Sequence, residues 1–217
     1  MTSAATTEGA AQPETFAFTA ENLERAKTII ARYPQGRQQS AVMPLLDLAQ
    51  RQSGNWLPRA AMDHVAEMLE MPRIRVYEVA SFYTMYNKAP VAKYLVQICR
   101  TTPCWLCGCN DLARAVKDVT GAGVGETVGD FTVMEVECLG ACVNAPMVQI
   151  NDDYYEDLDY DRMVTLLEAL KRGEMPAIGS QTGRRGSEAA SGPTTMLKQR
   201  PKPAAPAVAG RGDGDKG

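Results

Sequence analysis

Histidine is nearly absent from this sequence, because its 217 residues contain one, His64. A Rieske iron-sulfur centre needs two histidine ligands, and many catalytic zinc sites are built on several imidazoles. Sites of both kinds are therefore excluded. We predict that His64 itself is a surface or boundary residue of a helix.

Long apolar runs are also missing, and none reaches the roughly 20 residues that a transmembrane helix needs. Residues 1 to 16 contain neither the apolar core of a signal peptide nor the arginines of a mitochondrial transit peptide. We therefore expect a cytoplasmic protein with a short disordered lead over residues 1 to 16 and no membrane insertion.

Charge is unevenly distributed along the chain, whose net charge is -3. From Pro176 onward there are seven Lys/Arg and three Asp/Glu, against 16 and 23 in residues 1 to 175. The basic residues of this segment stand among Gly, Pro and Ala without interleaved aromatic residues, which does not favour nucleic-acid binding. With almost no apolar periodicity, residues 176 to 217 are predicted to be a flexible basic tail without a core of its own.

Cysteine, in contrast, is concentrated between Tyr94 and Pro146. The six cysteines are Cys99, Cys104, Cys107, Cys109, Cys138 and Cys142. In a reducing cytosol, grouped cysteines are more often metal ligands or redox groups than structural disulfides. A C-x4-C pair followed by a C-x3-C pair gives four thiolates on two loops, enough to hold the two irons of a 2Fe-2S cluster.

Three other interpretations of the cysteines stay open at this point. Cys104 and Cys107 form a C-x2-C between a predicted strand and a predicted helix, which is typical of thiol-disulfide oxidoreductases. Structural zinc is permitted by the spacing of a four-cysteine set: Cys104, Cys107, Cys138 and Cys142. Lastly, the cysteines could be buried small hydrophobic residues, an explanation that suits one cysteine better than six in two clusters.

The sequence also allows predictions for Cys107, Cys109 and Gly140. Cys107 and Cys109 are predicted not to be ligands; a helix N-terminus favours their ionised form, so each should be reactive if exposed and inert if buried. Gly140 lies between Cys138 and Cys142, either as a turn glycine or to let backbone N–H groups approach the sulfurs.

Helical periodicity fills residues 17 to 90, which we interpret as a small helical bundle. Thr19 is the predicted N-cap of the first helix, and Pro58 and Pro72 open the third and fourth. The apolar positions of the four helices are Leu23, Ala26 and Ile30; Val42, Leu45, Leu46 and Ala49; Met62, Val65 and Leu69; and Val76, Val79, Ala80 and Tyr83.

Residues 91 to 175 alternate between strand and helix patterns, in the order β-α-β and then β-β-α. A strand is predicted over residues 94 to 99 and ends with Cys99. A second strand, over residues 131 to 137, is followed directly by Cys138. Between them lies a helix over about residues 111 to 119, with Asn110 as its cap. The pattern of residues 147 to 150 and 154 to 156 predicts a hairpin, and a last helix spans about residues 159 to 172.

Two stretches of the second half resemble the signature of the NuoE family. They are Cys-Arg-Thr-Thr-Pro-Cys at residues 99 to 104 and Glu-Cys-Leu-Gly-Ala-Cys-Val-Asn-Ala-Pro at residues 137 to 146. Members of this family are the thioredoxin-like 2Fe-2S subunits of NADH:quinone oxidoreductase, respiratory complex I. The helical half is similar as well, so the resemblance covers roughly residues 16 to 175, with a weaker likeness near residues 183 to 197.

The resemblance implies an α+β protein with a helical bundle over residues 17 to 90 and a thioredoxin-like 2Fe-2S ferredoxin domain over residues 91 to 175, followed by the disordered C-terminal tail that the composition predicts. It also implies a cis proline at Pro146. The cluster ligands that it implies are Cys99, Cys104, Cys138 and Cys142.

By the same resemblance, the chain is an electron-transfer subunit whose cluster exchanges electrons with the FMN of an adjacent NADH-oxidising subunit. The implied partners are this FMN/NADH-binding subunit and the large iron-sulfur subunit of the peripheral arm, on the cytoplasmic side of the bacterial inner membrane. The chain would then have no complete active site of its own. The alternatives are the diaphorase subunit of an NAD-linked hydrogenase or formate dehydrogenase, and a free thioredoxin-like ferredoxin.

Overall fold

The computed structural model describes residues 11–189, 191–192 and 195. Contacts divide the chain into two compact units, with the boundary between Lys93 and Tyr94. Each unit has its own core of buried apolar side chains. None of the helices described is long and apolar enough to span a bilayer.

The first unit is helical in the residues described. Its helices are α1 (Ala20–Ile30), α2 (Val42–Gln52), α3 (Arg59–Met68) and α4 (Arg73–Phe82), with a 3-10 turn at Gln38–Ala41 before α2. The predicted start signals are confirmed. The hydroxyl of Thr19 accepts a hydrogen bond from the N–H of Asn22, and Pro58 and Pro72 each stand immediately before a helix.

Apolar residues one turn apart build the core of this unit, as the periodicity predicted. The innermost are Leu45, Leu46, Ala49, Val65, Val76 and Ala80. Tyr83 is an exception, since 39 % of it is exposed. It follows the last residue of α4 with extended backbone angles (φ -88, ψ 111), so its side chain no longer follows the buried face of the helix.

His64 is a half-buried residue of α3, which agrees with its predicted place at a boundary. Its ring packs edge-on against Phe16 and Phe18, at centroid distances of 5.6 and 5.4 Å. In the part of the chain that the structure describes, its Nε2 is buried and has no hydrogen-bond partner.

The second unit is a mixed sheet with helices packed against it. Its elements are β1 (Tyr94–Cys99), α5 (Thr102–Leu106), α6 (Cys109–Thr120), β2 (Thr127–Val128), β3 (Phe131–Val136), β4 (Val148–Ile150), β5 (Asp153–Glu156), α7 (Tyr160–Lys171) and β6 (Gly179–Ser180). The strand order is β2-β3-β1-β4-β5-β6. Strands β1 and β3 are parallel, whereas β4 runs antiparallel to both β1 and β5. The Ala145–Pro146 peptide bond is cis, as predicted.

Three elements of this unit were not predicted, namely α5, β2 and β6. Strands β2 and β6 have two residues each, too few to alternate, and α5 with its five residues is little more than one helical turn. The predicted cap Asn110 is wrong. Helix α6 starts at Cys109, after Gly108 in a left-handed conformation (φ 96), and Asn110 Oδ1 instead accepts a hydrogen bond of 2.8 Å from Arg100.

The predicted flexible tail is wrong for its first part. Strand β6 pairs in parallel with β5, and Arg184 forms an ion pair with the buried carboxylate of Asp157. A two-residue strand and a single ion pair need no apolar periodicity, so composition contained no sign of them. The rest of the predicted tail, apart from residues 191, 192 and 195, lies outside the residues described.

A buried polar side chain, Gln50 of α2, joins this helix to the segment after α4. Its Oε1 accepts a hydrogen bond of 2.7 Å from the N–H of Asn87, and its Nε2 donates one of 3.1 Å to the carbonyl of Met85. The bond with Asn87 is buried, whereas the bond with Met85 is partly buried.

We predict that Gln50→Ala lowers the free energy of unfolding by about 1–3 kcal/mol, because it leaves the buried N–H of Asn87 unpaired. Chemical denaturation followed by circular dichroism measures this. Gln39→Ala is the matched control, since Gln39 is exposed and should be close to neutral. Equal midpoints for the two variants would contradict the prediction.

Candidate functional site

The parallel pairing of β1 with β3 brings the two groups of cysteines to one edge of the sheet. Cys99 is the last residue of β1 and is in register with Val136, the last residue of β3. Cys138 follows two residues later. Because parallel strands end at the same edge, the loop after β1 and the loop after β3 leave the sheet side by side.

The loop after β1 is the buried part of the site. Cys99 and Cys104 are 2 % and 1 % exposed, and they pack with Cys109 and Met147 in a small core of their own. The short helix α5 turns the chain back, so that the side chain of Cys104 comes within hydrogen-bonding distance of the sulfur of Cys99. These two thiols therefore form a pair.

The loop after β3 carries a second and more accessible pair of thiols. The sulfurs of Cys138 and Cys142 lie 3.3 Å apart; Cys138 is exposed and Cys142 is half-buried. A 3-10 turn, Cys142–Asn144, follows directly. The hydroxyl of Tyr154 on β5 donates a hydrogen bond of 2.9 Å to the carbonyl of Leu139 and so holds this loop to the sheet.

Gly140 is the turn glycine of this second loop. Its φ of 87 is in the left-handed region, which favours glycine. A Cβ added there would meet nothing within 4 Å, so close packing is not the reason for a glycine. Its backbone N–H also donates a hydrogen bond to the sulfur of Cys138.

Thr101 joins the two loops, a role that sequence reasoning missed. Its hydroxyl oxygen is 3.4 Å from the sulfur of Cys99, and the same side chain hydrogen-bonds Cys138. The N–H of Leu139 reaches back to Cys99. The only sign in the sequence was the position of Thr101 between Cys99 and Cys104, because the contact with the second loop depends on the sheet.

Hydrogen bonds and burial act in opposite directions on the acidity of the four thiols. Burial opposes ionisation of Cys99, but donors from Thr101 and Leu139 outweigh it and lower the pKa of that thiol. Burial and a hydrogen bond with Cys99 raise the pKa of Cys104 to about 12. In the second pair the N–H of Gly140 lowers the pKa of Cys138, whereas the hydrogen bond with Cys138 raises that of Cys142. In each pair, therefore, the pKa of one thiol is lowered and the pKa of the other is raised.

The other two cysteines do not join these pairs. Cys107 is exposed, and Cys109 is fully buried. For Cys109, the expected preference for the ionised form is wrong. Burial raises the pKa of its thiol in spite of the nearby Arg100, so Cys109 acts as a buried filler.

This arrangement discriminates between the kinds of metal site. In the described residues, no three His, Cys, Asp or Glu side chains are gathered closely enough to hold a single metal ion. A structural zinc ion needs four ligands around one point, and the described side chains form no such group. Two thiol pairs at one sheet edge fit a 2Fe-2S cluster better, because each of its two irons takes two cysteine sulfurs. The C-x2-C interpretation finds no support, since Cys104 is buried and hydrogen-bonded with Cys99, whereas Cys107 is exposed.

Comparison with known proteins agrees with this geometry. The family model for the thioredoxin-like 2Fe-2S ferredoxin matches residues 26–171. An NADH-quinone oxidoreductase subunit from Rickettsia typhi is 56 % identical over 156 residues, which cover 71 % of this chain and 92 % of that protein. The mitochondrial NADH dehydrogenase (ubiquinone) flavoprotein 2 of Dictyostelium discoideum is 49 % identical over 185 residues, covering 84 % of this chain and 75 % of that one.

Among solved structures, an NAD+-reducing NiFe-hydrogenase in the air-oxidized state is similar, with a TM-score of 0.51 and 22 % identity. The match covers 59 % of this chain, which spans only 23 % of the hydrogenase chain. At this identity the likeness concerns the fold alone.

The different exposure of Cys107 and Cys109 predicts different reactivity. We expect iodoacetamide to alkylate Cys107 in the folded protein and to leave Cys109 unmodified until the protein is denatured, because alkylation needs access to the thiolate. Peptide mass spectrometry distinguishes the two sites, and Cys107→Ser should remove the signal assigned to Cys107. Alkylation of Cys109 in the folded protein at the rate of Cys107 would refute this assignment.

Proposed function

This chain belongs to the thioredoxin-like 2Fe-2S ferredoxin family, and we propose that it is the electron-transfer subunit of an NADH-quinone oxidoreductase that carries a 2Fe-2S cluster in such a domain. One observation carries this conclusion: two pairs of cysteine thiols meet at one edge of a thioredoxin-like sheet. The relatives named as components of such oxidoreductases support it, because they match at 49 to 56 % identity over most of their own length.

The residues proposed to hold the cluster are Cys99, Cys104, Cys138 and Cys142. When bound, a 2Fe-2S cluster supplies one-electron transfer, here with the FMN of the adjacent NADH-oxidising subunit. The surroundings of the four thiols fit that task. Donors from Thr101, Leu139 and Gly140 point at sulfurs and stabilise negative charge there, which favours both metal binding and a higher reduction potential.

The two cysteine loops differ in their exposure to solvent. We propose that the site faces its partner on the side of the exposed loop. Cys99 and Cys104 exclude water on the sheet side because they are buried. The opposite loop presents Cys138 at the surface. Beside the cysteines, Trp105, Leu106 and Val143 are large apolar side chains that are exposed in this chain, as expected of a face that a partner subunit covers.

The partners that we propose are the FMN/NADH-binding subunit and the large iron-sulfur subunit of the peripheral arm. The complex would lie on the cytoplasmic side of the bacterial inner membrane, with this chain as a peripheral member. The names of the relatives as components of a larger oxidoreductase support an assembly of this kind.

We assign the helical bundle, residues 17 to 90, a docking role. Support comes from Ile74, Phe82 and Met85, which are large apolar side chains exposed on or just after α4. Phe82 is 78 % exposed, an unfavourable state for so large a ring unless another surface covers it. The remaining domain is residues 91 to 175, to which β6 and Arg184 must now be added.

The first test is the cofactor itself. We expect the isolated protein to contain one 2Fe-2S cluster per chain, because four thiols in two pairs suit two irons. Iron and sulfide analysis, together with EPR of the dithionite-reduced protein, measures this. A colourless, zinc-loaded and EPR-silent protein, prepared anaerobically with abundant iron, would overturn the proposal.

The second test is the set of ligands. Serine at Cys99, Cys104, Cys138 or Cys142 should abolish the cluster or strongly alter its EPR spectrum, because a harder oxygen ligand holds iron differently. Cys107→Ser is the matched control: it lies in the same segment, is exposed, and should leave the spectrum unchanged. Cluster loss in Cys107→Ser, together with a normal spectrum in Cys99→Ser, would show that the site is instead built on the C-x2-C pair of Cys104 and Cys107.

A further inference from the structure

A buried carboxylate, Asp157, lies just after β5 and next to the second cysteine loop. Its side chain accepts hydrogen bonds from Asn144 Nδ2 at 2.8 Å and from the hydroxyl of Ser180 at 2.6 Å. Its own N–H donates to the carbonyl of Asn144 at 2.8 Å. Asp157 is therefore bonded to the turn that contains Cys142 through both its side chain and its backbone.

Arg184 completes the surroundings of this carboxylate and also reaches the cysteine loop directly. Its Nε is 2.9 Å from both carboxylate oxygens of Asp157, and its guanidinium donates a hydrogen bond of 2.7 Å to the carbonyl of Val143. A further bond joins it to the carbonyl of Glu188. A planar guanidinium with several donors can make these contacts at once, which a lysine cannot.

Asn144 closes the network from the side of the loop. It is 1 % exposed, and its Oδ1 accepts a hydrogen bond of 2.7 Å from the N–H of Ser187. Its Nδ2 already donates to Asp157. The segment that contains Ser180, Arg184 and Ser187 thus holds the Cys142–Asn144 turn, both directly and through Asp157. This segment lies outside both cysteine loops.

We propose that residues 179–188, which we call the C-terminal clasp, position Cys142 for the cluster by holding the Cys142–Asn144 turn through Asp157, Arg184 and Asn144. The inference rests on the proposed function, because it takes Cys142 to be a ligand. Asp157, Arg184 and Asn144 are positioning residues, since they act on the ligand through the backbone of its turn.

The charge state of the network is consistent with this role. Burial disfavours the ionised form of Asp157, but the hydrogen bonds from Arg184, Ser180 and Asn144 outweigh burial and hold the pKa of this carboxylate below its usual value. Removing Arg184 alone leaves a buried negative charge without its counter-ion, and opening of the turn toward water relieves this. Opening of the turn moves Cys142.

The experiment compares full-length proteins that carry the cluster: wild type, Arg184→Ala, Arg184→Lys and the control Arg172→Ala. The control removes an arginine whose ion pair with Glu174 is exposed to solvent. The readouts are the rate at which a chelator removes iron from the folded protein and the EPR spectrum after reduction. Loss of partners that orient a metal ligand typically costs 10- to 100-fold in metal affinity, so we expect iron release at least about tenfold faster in Arg184→Ala.

Arg184→Lys should restore part of the slow release, because it keeps the charge beside Asp157 but cannot also bond the Val143 carbonyl in the same way. Arg172→Ala should match wild type. If Arg184→Ala does not fold, the same two measurements are made on the double variant Asp157→Asn with Arg184→Gln. This variant removes both buried charges together and so leaves neither without its counter-ion. Fast release and an altered spectrum in this double variant support the clasp.

The outcomes that would contradict the two proposals are distinguishable. Wild type that binds no 2Fe-2S cluster overturns the proposed function. Wild type that binds the cluster, with the release rate and spectrum unchanged in Arg184→Ala, or in the double variant where Arg184→Ala does not fold, overturns the clasp alone. Equal acceleration in Arg172→Ala also overturns it, because a general loss of stability would then explain the result.

Discussion

The parallel pairing of β1 with β3 is the constraint on which the site depends. It places Cys99 opposite Val136 and thereby sends two cysteine loops away from the same edge of the sheet. A shift of one residue in this register would turn Cys99 to the other face of the sheet, because side chains alternate along a strand. The spacing of cysteines within each loop matters only once this pairing has brought the loops together.

Around the thiols, the structure combines a buried pair with an accessible one. The buried pair is supported by Met147 and Cys109, whereas the accessible pair depends on backbone donors and on the hydrogen bond from Tyr154 to Leu139. Thr101 belongs to the first loop but bonds to sulfurs of both. The four thiols are therefore held by two kinds of support: core packing around the buried pair and hydrogen bonds to sulfurs in both loops.

The C-terminal segment extends the second kind of support. Strand β6 adds to the sheet beside β5, and Arg184 then reaches over Asp157 to the turn that begins at Cys142. The match to the Dictyostelium discoideum protein covers 84 % of the chain and so must extend beyond Pro176. Residues just after the last helix thus pair with the sheet through β5 and β6.

Features that depend on neighbours along the chain could be predicted from the sequence alone. Thr19 and Pro58 mark helix starts, Tyr94–Cys99 is a strand, and the C-x4-C and C-x3-C spacings point to iron and sulfur. The burial of Cys109, the bridge that Thr101 makes between the loops and the contact of Arg184 with Asp157 became evident only in the folded chain. Arg184 and Asp157 are 27 residues apart in the sequence, and Ser187 and Asn144 are 43 residues apart. Such contacts leave no periodic trace, because they arise from the way strands and helices pack and not from the local preferences of the chain.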